Sequence, residues 1–391
     1  MNQTPRDGAR ERHSEIADDL VRLSHEIHAH PELGFEEEKA SSWLCESLSN
    51  AGFDVQAGAC ELETSIIAST GSGPLHVAFV AEYDCLPEIG HACGHNVIAT
   101  MALGAAIAAA KVADEAGMTV TLVGTPAQEM GGGKILMLER GAFKGVHAAF
   151  MAHPAPLDVA IPTTLAMSHF MVTYTGKESH ASIFPEFGIN ALDALTVAQT
   201  AIGMLRQQLA PTTRVHGVCR HGGDAPHVIP QHVTADYMVR ASDLEDLEKL
   251  EQRVRNCFEA GALASGAEVD FEPLHPPYAE ITLDRELSAI YKRNAAELGR
   301  TFHDIPQPMI DRAAGATDMG NISKVIPSIH PAIGFDSFPA VPHMADFAAA
   351  AAGPKADTAV TQGGLGLALT AIDAATTPAL RERLLTGTGP G

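Results

Sequence analysis

The sequence is short of positive charge: 26 Lys+Arg stand against 48 Asp+Glu, a formal charge of -22 at pH 7. Such a surface repels polyanions, which excludes nucleic acid and an acidic membrane as partners. It also lacks paired cysteines. Cys45, Cys60, Cys85, Cys93, Cys219 and Cys257 are scattered with no C-x-x-C, which predicts free thiols in a reducing cytoplasm. The N-terminal stretch MNQTPRDGARERHSE has no apolar signal core, in keeping with a cytoplasmic chain. No apolar run approaches the roughly 20 residues that span a bilayer. The Ala-rich stretch near 101–110 is too short and meets Lys111. Aromatic residues are scarce at 5%, whereas histidine, at 19, is abundant enough to raise metal chemistry. What remains is ordinary for a globular protein: 46% hydrophobic and 19% charged residues over 391, a length that suits two domains.

Periodicity divides the chain. Ile16, Leu20, Leu23 and Ile27 recur at helical spacing, and a second helix from about Glu37 carries Ala40, Trp43, Leu44 and Leu48. Apolar runs at 75–81, 120–123 and 148–152 read as buried strands, with an Ala-rich helix near 97–113, the alternation of an α/β layer fold. From 165 to 278 the order is strand 166–175, helix 189–208, strands 214–221 and 233–240, helix 243–264 and strand 268–273. That βαββαβ order predicts an inserted ferredoxin-like domain at 165–278 within a catalytic domain of 1–164 and 279–391. The α/β pattern resumes with helix 284–299, a strand near 326–334 and helix 357–376, and the tail Thr-Gly-Thr-Gly-Pro-Gly is expected to fray.

Chemistry-bearing residues gather after the apolar strands. His91-Ala-Cys-Gly-His95 places Cys93 and His95 beyond the strand at 75–81, where open α/β sheets put their sites, and a thiolate and an imidazole two residues apart can face a metal. The plain alternative is a buried Cys and a helix-capping His. Pro126-Ala-Gln-Glu-Met-Gly-Gly-Gly-Lys134 follows the next strand and offers Glu129 as an oxygen ligand; its glycines match no phosphate-loop spacing. His153 ends the strand at 148–152, and His343 precedes the C-terminal helices.

Taken in order, His30-Pro-Glu-Leu-Gly-Phe-Glu-Glu37, Ala81-Glu-Tyr-Asp-Cys-Leu-Pro87, Gly90-His-Ala-Cys-Gly-His-Asn96, Gln128-Glu129, Gly176-Lys-Glu-Ser-His180, Gly315-Ala-Thr-Asp-Met-Gly-Asn-Ile-Ser323 and His343 span nearly the whole chain. They resemble the di-zinc amidohydrolases and metallopeptidases that include aminoacylase, carnosine dipeptidase and succinyl-diaminopimelate desuccinylase. Within that family the chain is most similar to the branch of aminobenzoyl-glutamate hydrolase, indole-acetyl-amino-acid amidohydrolases and β-alanyl dipeptidase-like proteins.

The resemblance implies a three-layer α/β metallopeptidase domain with an inserted ferredoxin-like lid and dimerisation domain, working as a homodimer. It implies two divalent ions, zinc first with manganese, cobalt or nickel as alternatives. Cys93 would bridge them, His95 and His153 completing one site, Glu129 and His343 the other, with Asp84 orienting a ligand. Two ions close together suit the hydrolysis of an unactivated amide. His180 would reach the partner subunit's site and stabilise an oxyanion, and Arg240 would hold a substrate carboxylate, the alternative being a structural ion pair. His227 stands where relatives carry Asn. Gln128 stands where relatives carry the Glu that takes the proton from the attacking water, a task an amide cannot perform. It reads as an isosteric replacement or as a natural loss of catalysis, the retention of the other positions favouring replacement.

The expected substrate is a small amide: an N-acyl amino acid, an aminobenzoyl-glutamate-like conjugate or a dipeptide. The alternatives are a non-catalytic metal-dependent binding protein and a metal-dependent aminohydrolase releasing ammonia.

Overall fold

The computed structural model describes residues 4–303 and 305–387. In chain order its strands are β1 (Asp54–Ala57), β2 (Ile66–Gly71), β3 (Leu75–Glu82), β4 (Met118–Thr125), β5 (Ala148–Phe150), β6 (His153–Ala155), β7 (Ala166–Thr175), β8 (Arg214–His221), β9 (His232–Ala241), β10 (Glu268–Pro273), β11 (Ser328–Ile329) and β12 (Ala332–Gly334). They fall into two compact units: residues 1–163, 281–310 and 317–391, and residues 164–280 with 311–316.

The first unit is a three-layer α/β fold around a six-stranded sheet of order β1-β2-β4-β3-β5-β11. β3 runs parallel to β4 and β5, and β11 parallel to β5, while β1 and β2 add an antiparallel edge. Val77–Glu82 and Val120–Thr125 are buried on both faces, as strands covered by helices on each side must be. Helix His95–Ala110 is buried all round because it lies among Pro5–Ala29, Pro354–Thr376 and the sheet. Small residues allow this closeness. A Cβ on Gly363 would stand 2.4 Å from Met101 Sδ.

Two details depart from the sequence reading. The strand expected at 326–334 is split into β11 and β12 by His330-Pro331, since proline cannot donate to a ladder. The strand expected at 148–152 stops at Phe150, and His153 opens β6, which pairs in parallel with β12 in a separate two-stranded sheet. Of the tail, Thr386 still belongs to helix Pro378–Thr386 and 388–391 lies outside the described residues.

The second unit has the order βαββαβ and an antiparallel sheet of order β10-β7-β9-β8, the ferredoxin-like arrangement. Alternate residues of β7 and β9, among them Phe170, Val172, Tyr174, Val233, Tyr237 and Val239, meet Leu195, Val254 and Phe258 of helices Ala191–Leu205 and Leu244–Ser265 in its core. The opposite face therefore carries Met167, His169, Asp236, Met238 and Arg240. No helix among the described residues is long and apolar enough to cross a membrane.

Candidate metal centre

Beyond the C-terminal end of β3 the chain turns through Tyr83–Gly94 into helix His95–Ala110. Gly94 takes a φ of +72°, and a Cβ there would stand 2.9 Å from the Pro154 ring, so glycine lets Cys93 and His95 approach β6. The loop after β4 brings Glu129 to the same place. Asp84 ties the two loops together: Oδ1 lies 2.9 Å from His95 Nδ1, and Oδ2 accepts the Glu129 amide at 2.9 Å. Asp84 thus holds the Nδ1 proton and turns Nε2 toward the other donors, the nitrogen that would meet a ligand. In His153, Nδ1 lies 2.8 Å from the Pro154 carbonyl, with the same consequence for its Nε2. His343, at a φ of +71°, is fixed by its amide donating to Ala92 O at 2.9 Å.

The side chains converge as two triads. Donor atoms of Cys93, His95 and His153 lie within 4.8 Å of one another, and so do those of Cys93, Glu129 and His343. Cys93 belongs to both. His95 Nε2 and Glu129 Oε1 are buried and have no hydrogen-bond partner, an arrangement that costs free energy unless a cation answers it. Thiolate, imidazole and carboxylate together are a donor set for zinc-like divalent ions, so the residues present fit the two ions that the resemblance implies.

The buried carboxylates favour positive charge at this place, so a bound ion would displace the protons of His95 Nε2 and of the Cys93 thiol. Burial alone would push His95 down, but Asp84 at its Nδ1, with Glu82 and Glu129, raises it to about 10. Burial, with Glu129 alongside, lifts the Cys93 thiol well above its usual range, and burial likewise raises Glu129. Burial brings His153 down to about 4, the neutral form a ligand requires.

Gln128 is buried beside Glu129, following Ala127, whose amide donates to Glu37 Oε1 at 2.8 Å. Sequence reasoning missed the group beneath these loops. Lys134 Nζ lies 2.5 Å from Glu82 Oε1 and 2.8 Å from Asp318 Oδ1, all three fully buried, and Glu82 Oε2 lies 3.4 Å from His95 Nε2. An acid closing the apolar run Val77–Ala81 of β3 was the available signal. His330 was missed as well. It is buried with its ring 5.7 Å from that of His153, and burial holds it neutral, at about 3.

The remaining candidates lie in the second unit. His180 and His227 are exposed with ring centroids 6.4 Å apart. The amides of Ser182 and Ile183 both donate to His180 Nδ1 at 3.2 Å, so its proton sits on Nε2, where it can be donated. Arg240 is partly buried near the end of β9, and burial lowers its pKa. Its side chain makes no ion pair or hydrogen bond with any described residue, so no described residue supplies the structural ion pair. On the same face Asp236 is claimed instead by Arg220, at 2.8 Å, and by His169 Nε2.

Soft and hard donors beyond the C-terminal ends of β3 and β4, in a chain that also carries a ferredoxin-like insert, suit a metal-dependent hydrolase. Residues 166–265 match the peptidase dimerisation domain of the M20 family. The chain is 38% identical over 392 residues to the Xaa-Arg dipeptidase of Mus musculus, covering 96% of this chain and 90% of that one. It is 33% identical over 282 residues to a p-aminobenzoyl-glutamate hydrolase chain of Escherichia coli (strain K12), covering 67% of this chain and 57% of that one. Among solved structures, an aminobenzoyl-glutamate utilization protein from Klebsiella pneumoniae shares the fold with a TM-score of 0.70 at 17% identity, covering 92% of this chain and 97% of that one. A dinuclear metal-binding M20 peptidase from Bacillus subtilis does so with a TM-score of 0.60 at 21% identity, covering 90% of this chain and 99% of that one. The chain belongs to the M20 family of metal-dependent peptidases and amidohydrolases.

Proposed function

We propose that this M20 hydrolase binds two divalent ions, zinc by preference, and acts on an amide whose amine half carries a carboxylate: an N-acyl amino acid, an aminobenzoyl-glutamate-like conjugate or a dipeptide. The observation that carries the reading is the pair of donor triads sharing Cys93. His95 and His153 would complete one ion's shell, Glu129 and His343 the other's. Bound ions would supply Lewis-acid polarisation of the amide carbonyl and a lowered pKa for water. Asp84 holds the His95 tautomer and the Glu129 loop in register. Arg240, uncommitted to any described side chain, would receive the substrate carboxylate through a two-pronged guanidinium contact. His227 would meet the substrate tail beside it. His180 Nε2 would donate to the developing oxyanion in the partner subunit's site.

Homodimerisation through the second unit is supported by its match to the dimerisation domain and by β8, an edge strand with mostly exposed residues. A cytoplasmic location is supported by six cysteines that are all unpaired.

Gln128 sets the rate. Its amide can hydrogen-bond the attacking water but cannot take its proton, a loss of about 10²–10⁴-fold in turnover. That residue also favours a second reading, a protein that keeps the site for ligand capture alone. A panel of amides assayed with the Gln128→Glu protein separates the two. The hydrolase reading expects turnover to rise by about 10²–10⁴-fold with carboxylate-bearing amides, without release of ammonia. No gain in a metal-loaded protein would leave the capture reading.

A further inference from the structure

Glu82 ends β3 and is fully buried, two residues before Asp84. Its carboxylate is divided between two neighbours. Oε1 lies 2.5 Å from Lys134 Nζ, and Asp318 in turn accepts from the Lys134 amide at 3.0 Å and from Nζ at 2.8 Å. Oε2 lies 3.4 Å from His95 Nε2, and neither of these two atoms has a hydrogen-bond partner. The His95 ring thus stands between two carboxylates, Asp84 bonded to Nδ1 and Glu82 facing Nε2 without bonding it. The charge of Glu82 is felt at His153 as well. Serving as counter-ion to Lys134 occupies one oxygen; the other, stripped of water and unpaired, costs free energy unless something answers it. Coordination geometry accounts for the spacing. Zinc holds imidazole nitrogen and carboxylate oxygen at about 2.0–2.2 Å, so two such donors on one tetrahedral ion stand about 3.3–3.5 Å apart. The 3.4 Å between His95 Nε2 and Glu82 Oε2 falls within that range.

We infer that Glu82 Oε2 is a fourth protein donor to the ion held by Cys93, His95 and His153, and that Lys134, pinned by Asp318, is the positioning residue that turns the carboxylate toward it. The inference rests on the two-ion reading above and makes the two ions unequal. Four buried or half-buried donors close the shell of the first ion. Cys93, Glu129 and His343 are only three, and His343 is exposed, so the position open to substrate belongs to the second triad.

The test is a crystal structure of the zinc-loaded protein, unaltered in sequence, with the ions located by anomalous scattering. Glu82 Oε2 should lie about 2.0–2.2 Å from the ion of the first triad. An ion held by Cys93, His95 and His153 with Glu82 Oε2 beyond bonding distance overturns the inference and leaves the two-ion reading standing. No ion at either triad removes both. In solution, stripped Glu82→Gln protein is titrated with zinc against a competing indicator. One of the two ions should bind at least about tenfold more weakly than in unaltered protein, the other nearly as before. Two ions bound with undiminished affinity by the folded variant also overturn the role of Glu82.

Discussion

In the unit holding Cys93, Glu129, His153 and His343, the candidate donors come from loops and from the start of β6, far apart in sequence, and end buried or half-buried against one another, except for His343. In the unit holding His180, His227 and Arg240, the two histidines sit in loops and Arg240 on β9, and their polar ends are unclaimed by other side chains, apart from the Ser182 contact to His180. The first arrangement is costly to assemble and suits ions that stay. The second costs little and suits a substrate that comes and goes.

The sharpest way to break that comparison is at Lys134. In the buried unit Lys134→Met leaves Asp318 without its cation and Glu82 with His95 alone, which should cost about 3–5 kcal/mol of stability in chemical denaturation. A loss below about 1 kcal/mol would mean that water reaches the group and that the unit is less tightly built than its burial indicates.

The exposed unit should respond oppositely. In a Gln128→Glu background, His180→Ala should lower turnover by about 10²–10³-fold, the usual effect of losing an oxyanion donor, with unchanged melting temperature and metal content. Heterodimers pairing His180→Ala with Cys93→Ala should regain activity if the histidine acts across the dimer interface. Verified heterodimers without activity would confine His180 to its own chain.

A smaller effect concerns Glu37, whose carboxylate secures the strained Ala127 turn. Burial raises its pKa to about 7, so between the unfolded value near 4.5 and that value the folded state holds the extra proton. The stability it contributes is complete below about pH 4.5 and is lost as pH rises through 7, with a slope of at most about 1.4 kcal/mol per pH unit. Glu37→Gln should flatten that part of the stability profile of metal-free protein; an unchanged profile would show that Glu37 titrates normally.

The same contrast governs what could be read from the chain. Strands 166–175, 214–221 and 268–273 have the bounds expected from the sequence, and β9, expected at 233–240, shows the period of two that one covered face imprints. In the first unit β1 and β2 escaped notice: Asp54–Ala57 is short and mostly exposed, and Ile66–Gly71 ends in Ser, Thr and Gly. The donor candidates were legible as residue types after apolar strands, and their division between two ions came only from the family resemblance. Lys134 could not be assigned at all, since its partners Glu82 and Asp318 meet it only in the folded chain.

Metal stoichiometry tests the central claim most directly. Protein stripped by chelator and titrated with zinc against a competing indicator should saturate at two ions per chain. His153→Ala should remove one of them, and Cys93→Ala, which takes a donor from both triads, should weaken both. Saturation at a single ion in the unaltered protein, or two ions bound with undiminished affinity after Cys93→Ala, would contradict the shared-thiolate centre.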